Sequence, residues 1–248
     1  MTVIKSPQEV AIMRQAGKIV AAVLQKLREE IKPGIKTSQL DSVAASELKK
    51  YGAKASFKGY RGFPANLCVS VNDEVVHGIP GERRLNDGDL VSLDFGAIVD
   101  GFHGDGAITV GIGEISPKAQ ELLAVTEAAL MVGIRAARNG VHLGEISSSI
   151  QNYVETGGFS VVREYSGHGV GRDLHEDPLV PNFGSPGEGS ILQKGMTLAI
   201  EPMVTAGGWR TRVAENRWTV LTADGSLAAH FEHTIAISEG EAEVLTLL

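Results

Sequence analysis

Leu85-Asn86-Asp87-Gly88-Asp89-Leu90-Val91-Ser92-Leu93-Asp94-Phe95-Gly96 and, further along, Leu192-Gln193-Lys194-Gly195-Met196-Thr197-Leu198-Ala199-Ile200-Glu201-Pro202-Met203 read as two versions of one segment. Each has a polar, glycine-containing turn, then an apolar strand, then an acid near its end: Asp94 in the first, Glu201 in the second. Working outward, Ser6-Pro7-Gln8-Glu9 carries a helix start signal, with Ser as N-cap, Pro at the first helical position and Glu closing a capping box. Ile12, Ala16, Ile19, Val20, Val23, Leu27 and Ile31 then recur at helical spacing until Pro33-Gly34. A shorter helix is predicted over about 38–51. Ser116-Pro117 opens a second long run through Ala119, Leu122, Val125, Ala129, Val132 and Ala136 to Asn139-Gly140, and a second shorter helix is predicted over about 144–155.

Pro33-Gly34 matches Asn139-Gly140, and Tyr51-Gly52-Ala53 matches Gly157-Gly158-Phe159, at nearly the offset that superposes the two strands. With an insertion in the second copy, "GDGA" around Asp105 lies over "FEHT" around Glu232. Chance likeness of two helical runs is the competing explanation, and agreement of two acid pairs in register weighs against it. Two copies, about 6–111 and 116–238, predict an α+β domain with pseudo-two-fold symmetry, its central strands drawn from both halves and covered by helices.

In "LVSLDFGAIV" the alternation of a strand turns Val91, Leu93 and Phe95 one way and Leu90, Ser92 and Asp94 the other. A buried unpaired carboxylate costs several kcal/mol, so Asp94 requires a base, hydrogen bonds or a metal. Asp100-Gly101 is a hairpin turn signal between Asp94 and Asp105. A loop with an even number of residues puts both acids on one face within about 8 Å; an odd loop separates them. No lysine or arginine occurs from Asp87 to Gly113 to neutralise them. Glu201 repeats the situation, with Pro202 marking a strand end. A dinuclear metal site, a mononuclear site and ordinary salt-bridged acids all fit at this level. Oxygen ligands with imidazole suit Mn, Fe, Co or Zn better than Cu(I), and two bridging acids can hold two ions about 3.5–4 Å apart, an arrangement that activates water.

"SGHGVGRDLHE" (166–176) places His168 and His175 in a glycine-flanked loop, open to reading as a metal, phosphate or structural element. No Lys-Ser/Thr follows, which disfavours phosphate, and no G-x-S-x-G elbow is present. Cys68 is the lone cysteine, so neither an intrachain disulfide nor a thiolate zinc cluster can form, and in "NLCVSV" it reads as a small core residue. His77 ends the predicted strand "NLCVSVNDEVVHG", where it can project into a cleft. His103, His142, His230 and His233 have no glycine frame and read as structural.

A chain of 248 residues with 43% hydrophobic content can bury a sizeable core. Its net charge of −7, with no basic block, argues against broad nucleic-acid contact. The start lacks the apolar core of a signal peptide, and the longest early apolar run, 19–24, is too short for a membrane span. A soluble cytoplasmic protein is expected.

Taken together, "NDEVVHGIP", "LDFG" with "GDGA" beyond it, "GHGVGRDLHEDP", "AIEPM" and "FEHT" resemble the type I methionine aminopeptidases of the pita-bread fold, over almost the whole chain. The resemblance implies a central antiparallel sheet covered by two pairs of helices, in a single catalytic domain over 1–248. It implies two divalent ions (Co, Mn, Fe, Zn or Ni) held by Asp94, Asp105, His168, Glu201 and Glu232, with Asp105 and Glu232 bridging. It also makes Glu201 a proton acceptor, places His77 at the scissile nitrogen, and places His175 at the substrate carbonyl and the oxyanion formed from it. Tyr60, Phe63, Cys68 and Trp218 would surround the methionine side chain. Arg61 stands where many relatives carry His, Phe63 where many carry Tyr, and Leu174 where a larger aromatic is common; these departures bear on pocket shape and second-residue tolerance.

The implied substrate is the N-terminal methionine of nascent polypeptides ahead of a small second residue. The implied setting is a monomer with a transient ribosome contact and no DNA or membrane partner. One rival is a proline-specific peptidase of the same fold, which usually carries an extra N-terminal domain, whereas this chain starts directly on the first helix. A binding module that has lost its metal is the other, and five intact acid or imidazole positions weigh against it.

Overall fold

The capping box at Ser6 forms, with Ser6 Oγ accepting from the Glu9 amide at 3.3 Å and Glu9 Oε2 from the Ser6 amide at 3.0 Å. It starts helix α1 (Pro7–Glu30), which is followed by α2 (Thr37–Tyr51), ending on Gly52 in the left-handed region. Ser116 likewise caps α3 (Pro117–Ala136), accepting from the Ala119 amide at 3.2 Å, and α4 (Gly144–Thr156) follows. The two long helices stop a few residues before Pro33-Gly34 and Asn139-Gly140, because the backbone already turns extended at Ile31 and Ala137. A computed structural model describes residues 2–248.

A nine-stranded antiparallel sheet runs through the centre. Its spatial order is Lys54–Ala55, Leu90–Val99, Phe102–Gly111, Glu232–Ala236, Thr197–Ile200, Ser166–Gly169 and Glu176–Pro181; Leu67–Val71 also pairs with Leu90–Val99, and Glu243–Val244 with Glu232–Ala236. The order brings a strand of the first half, Phe102–Gly111, against a strand of the second, Glu232–Ala236, in mid-sheet.

All four helices lie over one face. Val20, Val23, Leu27, Leu40 and Leu48 of α1 and α2 share a buried cluster with Val91, Leu93 and Phe95, so those three strand residues point to the helices as their alternation predicted. On the other half, Leu122, Leu130, Ile146 and Ile150 of α3 and α4 pack with Leu198, Ile200 and Ile235. Fully burying one such side chain contributes about 1.5–3 kcal/mol. The intervening residues, Asp94, Ala199 and Thr234, are thereby turned to the opposite face.

One strand was drawn too long from sequence. "NLCVSVNDEVVHG" is two strands, Leu67–Val71 in the central sheet and Glu74–Val76 in a three-stranded sheet with Val220–Thr222 and Thr211–Val213, separated by a turn at Asn72 with φ 62. Asparagine tolerates this conformation, and its side chain is fixed by Asp89 Oδ1 at 2.8 Å and the Leu90 amide at 2.9 Å. His77 follows the second strand in a left-handed conformation of its own, φ 59. Among the described residues, no helix is long and apolar enough to cross a membrane.

Candidate metal centre

The hairpin between Asp94 and Asp105 fixes their relation. Val99 pairs with Phe102 around a two-residue turn in which both Asp100 (φ 47) and Gly101 (φ 79) are left-handed, the geometry that matches strand twist. An even loop follows, so Asp94 and Asp105 share a face, and they are diagonal: Asp94 lies opposite Ala107, and Asp105 opposite Gly96. Continuing across the sheet, Ala107 pairs with Glu232, giving a row Asp94, Ala107, Glu232. A second row passes from Gly96 to Asp105, whose amide donates to Thr234 Oγ1 at 2.9 Å and whose carbonyl accepts from it at 2.7 Å, then to Ala199 and His168. Ala107 separates the donors in the first row, and Thr234 and Ala199 separate them in the second, so only small side chains stand between them. Glu201, just past Thr197–Ile200, reaches the same place: its Oε1 is 3.4 Å from His168 Nε2.

One atom each of Asp105, His168 and Glu232 lie within 4.8 Å of one another, all from buried residues. Asp94 Oδ1 is buried with no hydrogen-bond partner. Hard oxygens and one imidazole converge with a carboxylate oxygen unsatisfied, and a divalent cation would complete that set. His168 Nδ1 lies 2.9 Å from the Gly169 carbonyl, which assigns the proton to Nδ1 and leaves Nε2 as a lone pair facing the acids.

The donors form the floor of a cleft of about 140 Å³. Its apolar wall is a cluster of Phe57, Phe63, Ala65, Cys68 and Leu174, with Tyr60, Ile79 and Trp218 packed against it. Phe63 meets Trp218 edge to face at 5.2 Å. His175 stacks on Tyr60 at 5.2 Å, lies 4.1 Å from the His168 ring, and places Nδ1 2.9 Å from the Tyr60 hydroxyl. His77 enters from the other side, 6.0 Å from Tyr165 and 6.5 Å from Trp218 between ring centres. Every residue singled out from sequence as ligand, catalytic group or pocket wall lines this one cleft.

The glycine frame of His168 serves close packing of strands and not a sharp bend of the chain. His168 belongs to a short strand, Ser166–Gly169, and none of Gly167, Gly169 and Gly171 has a positive φ. A Cβ at Gly167 would meet Val180 and the Ala199 carbonyl, and one at Gly169 would stand 2.8 Å from the Asp177 carbonyl carbon. These glycines let flanking strands close in, and only indirectly bring the imidazole to the acids. Two neighbours escaped the sequence reading. Phe57 joins the apolar wall, and His230, read as structural, is fully buried with Nε2 3.8 Å from both Glu201 and Glu232 and neither ring nitrogen hydrogen-bonded. The clue to His230 was its spacing of two from Glu232.

The profile of metallopeptidase family M24 matches residues 11–239. The chain belongs to this family. A methionine aminopeptidase of Bacillus subtilis is 54% identical over 246 residues, covering 99% of each chain. The crystal structure of a methionine aminopeptidase from Thermotoga maritima superposes with a TM-score of 0.99 at 48% identity, covering 100% of both chains. A prolidase from Pyrococcus furiosus shares the fold, with a TM-score of 0.81 at 23% identity over 100% of this chain and 66% of its own. The pita-bread fold and membership among the methionine aminopeptidases follow from these likenesses.

Electrostatics in this M24 centre favour a cation. Burial, reinforced by the neighbouring acids, raises the pKa of Asp94, Glu201 and Glu232, and burial holds Asp105 at about 7. Burial lowers His168 to about 4 and also lowers His77 and His175, so all three imidazoles are neutral at pH 7. Without metal, the folded protein retains carboxyl protons that the unfolded chain loses near pH 4. Their contribution to stability is full below pH 4 and is lost as pH rises through about 7. The buried histidines act oppositely, but only below about pH 6.5. As pH rises through about 7, therefore, the unfolding free energy of the metal-stripped protein in urea is expected to fall, by at most about 1.4 kcal/mol per pH unit for each retained proton. A divalent ion, which requires ionised ligands, reverses the slope. A flat metal-free profile would mean that the four acids already ionise freely in the folded state.

Proposed function

We propose that this protein removes the N-terminal methionine from nascent proteins and peptides by metal-dependent hydrolysis of the first peptide bond, favouring a small second residue. The observation that carries the reading is the convergence of Asp94, Asp105, His168, Glu201 and Glu232 on one sheet face beneath an apolar pocket. These five residues would hold two divalent ions, with Asp105 and Glu232, from the two mid-sheet strands, shared between them. The chemistry such ions supply is Lewis acidity toward water and toward the peptide carbonyl.

The chain's own residues do the rest. The Phe63, Cys68, Trp218 and Tyr60 wall takes the methionine side chain, where aromatic rings and sulfur make favourable contacts. Glu201 accepts the proton of the attacking water and passes it to the leaving amine, a role suited to a carboxylate whose pKa burial raises above the ordinary carboxylate value. Tyr60 donates to His175 Nδ1, leaving the Nε2 hydrogen directed at the substrate oxygen on which negative charge develops. His77 contacts the scissile nitrogen. Leu174, Arg61 and Phe63 shape the space for the second residue.

The same proposal takes the chain as one catalytic domain of two copies, about 6–111 and 116–238, because each half contributes two of the four acids. It also takes it as a cytoplasmic monomer with a transient ribosome contact, to which the exposed Arg210, Arg212 and Arg217 could contribute positive charge. The protein loaded with Mn or Co is expected to cleave Met-Ala-x peptides and to leave x-Pro dipeptides intact. The reverse preference replaces this reading with that of a proline-specific peptidase. Turnover of neither, with no metal by elemental analysis, replaces it with a binding module.

A further inference from the structure

Lys5 and Glu176 form an ion pair of low exposure outside the donor cleft, their side chains only 3% and 9% accessible. Isolating two charges from water costs more than the contact returns in most proteins, so such a pair is poor at adding stability and is better explained by the geometry it enforces. The geometry here is specific. Glu176 Oε2 faces the Lys5 ammonium, while Oε1 accepts from the Asp173 amide at 3.3 Å, closing a short loop whose interior residues are Leu174 and His175. The Gly171 amide donates to the Asp173 carbonyl at 3.1 Å, within the same loop. Lys5 is fixed from its own side, its amide donating to the Gly195 carbonyl at 2.8 Å and its ammonium to the Val3 carbonyl at 3.2 Å. The segment before α1 is thus a clasp laid across the outside of the loop whose inner side carries His175.

We propose that Lys5 and Glu176 are positioning residues for the hydrolysis, holding His175 against Tyr60 and Leu174 in the pocket wall. The inference rests on the proposed role of His175. Neither Lys5 nor Glu176 lines the donor cleft, so losing the pair leaves metal binding intact. It costs orientation of the oxyanion donor, for which displacements of about 1 Å can lower rates by about 100-fold.

The test is a double-mutant cycle on the full-length, metal-loaded protein with a Met-Ala-x peptide, using Lys5→Met and Glu176→Gln, each in the wild-type and His175→Ala backgrounds. In the wild-type background each substitution is expected to lower kcat by about 10- to 100-fold with little change in KM and with the metal content of the parent. With His175 already removed, neither is expected to lower kcat further. Glu176→Gln is isosteric and keeps an acceptor for the Asp173 amide, so it decides the matter should Lys5→Met fail to fold. Equal losses in both backgrounds, an unchanged kcat in the wild-type background, or loss of metal would each overturn the proposal. Wild-type kcat for His175→Ala alone would remove the role of His175 and this inference with it, an outcome distinct from a failure confined to Lys5 and Glu176.

Discussion

Replacing Asp105 with alanine is expected to yield a folded protein that retains little metal and hydrolyses Met-Ala-x peptides at least about a thousandfold more slowly, the equivalent of several kcal/mol of lost Lewis-acid stabilisation. Asp105 sits where the two halves meet, and its carboxylate is one of three groups within 4.8 Å of one another. Its backbone, and not its side chain, makes the two hydrogen bonds to Thr234 Oγ1, so alanine preserves the join between halves. What disappears is the ligand proposed to be shared between the ions. The stability readout separates this from a folding defect. Above pH 7 the metal-free variant is expected to unfold no more easily than the metal-free wild type, since a buried acid costly to ionise has gone. Wild-type metal content in this variant would sink the assignment of Asp105 as a ligand.

His175→Ala is expected to behave oppositely, losing about 100- to 1000-fold in kcat with metal content unchanged. The ring is 4.1 Å from the His168 ring but is held by Tyr60, and it has no close contact with the carboxylates, so its removal subtracts a hydrogen-bond donor and no ligand. Burial, followed by the adjacent His168, keeps its pKa below the ordinary imidazole value, so the neutral form prevails across the working range. The loss in kcat should consequently be nearly constant from pH 6.5 to 8.5, measured with saturating peptide. Loss of metal from His175→Ala would move this residue into the ligand set and reverse the division of labour between the two histidines.

Much of this was legible in the chain because it depends on neighbours in sequence. Ser6 and Glu9 lie within one helical turn, so their capping box is local and starts α1 where the sequence placed it. Strand alternation put Asp94 and Phe95 on opposite faces, and Asp100-Gly101 favoured the two-residue turn that makes Asp94 and Asp105 face together. The same rules misled at two points. Asn72 adopts a left-handed conformation that its residue type permits but does not require, so one apolar run became two strands in different sheets. The glycines around His168 answer to strands at Asp177 and Ala199, and no local pattern announces which backbone will come near.

By itself, then, the sequence determined the helix starts, the facing of each strand, the repeat of single acids in apolar runs and the chemical kind of ligand, because these follow from residue type and periods of 2 and 3.6. Tertiary structure alone decided that Phe102–Gly111 lies beside Glu232–Ala236, and so that acids more than a hundred residues apart become neighbours in adjacent rows. It also decided that Phe57, Leu174 and Trp218 build one wall, that His230 stands within 4 Å of two carboxylates, and that Lys5 closes over the far side of the His175 loop. Strand order and loop docking are set by how two helix-covered halves bury their apolar faces against each other, a balance summed over the whole core that no single stretch of chain contains.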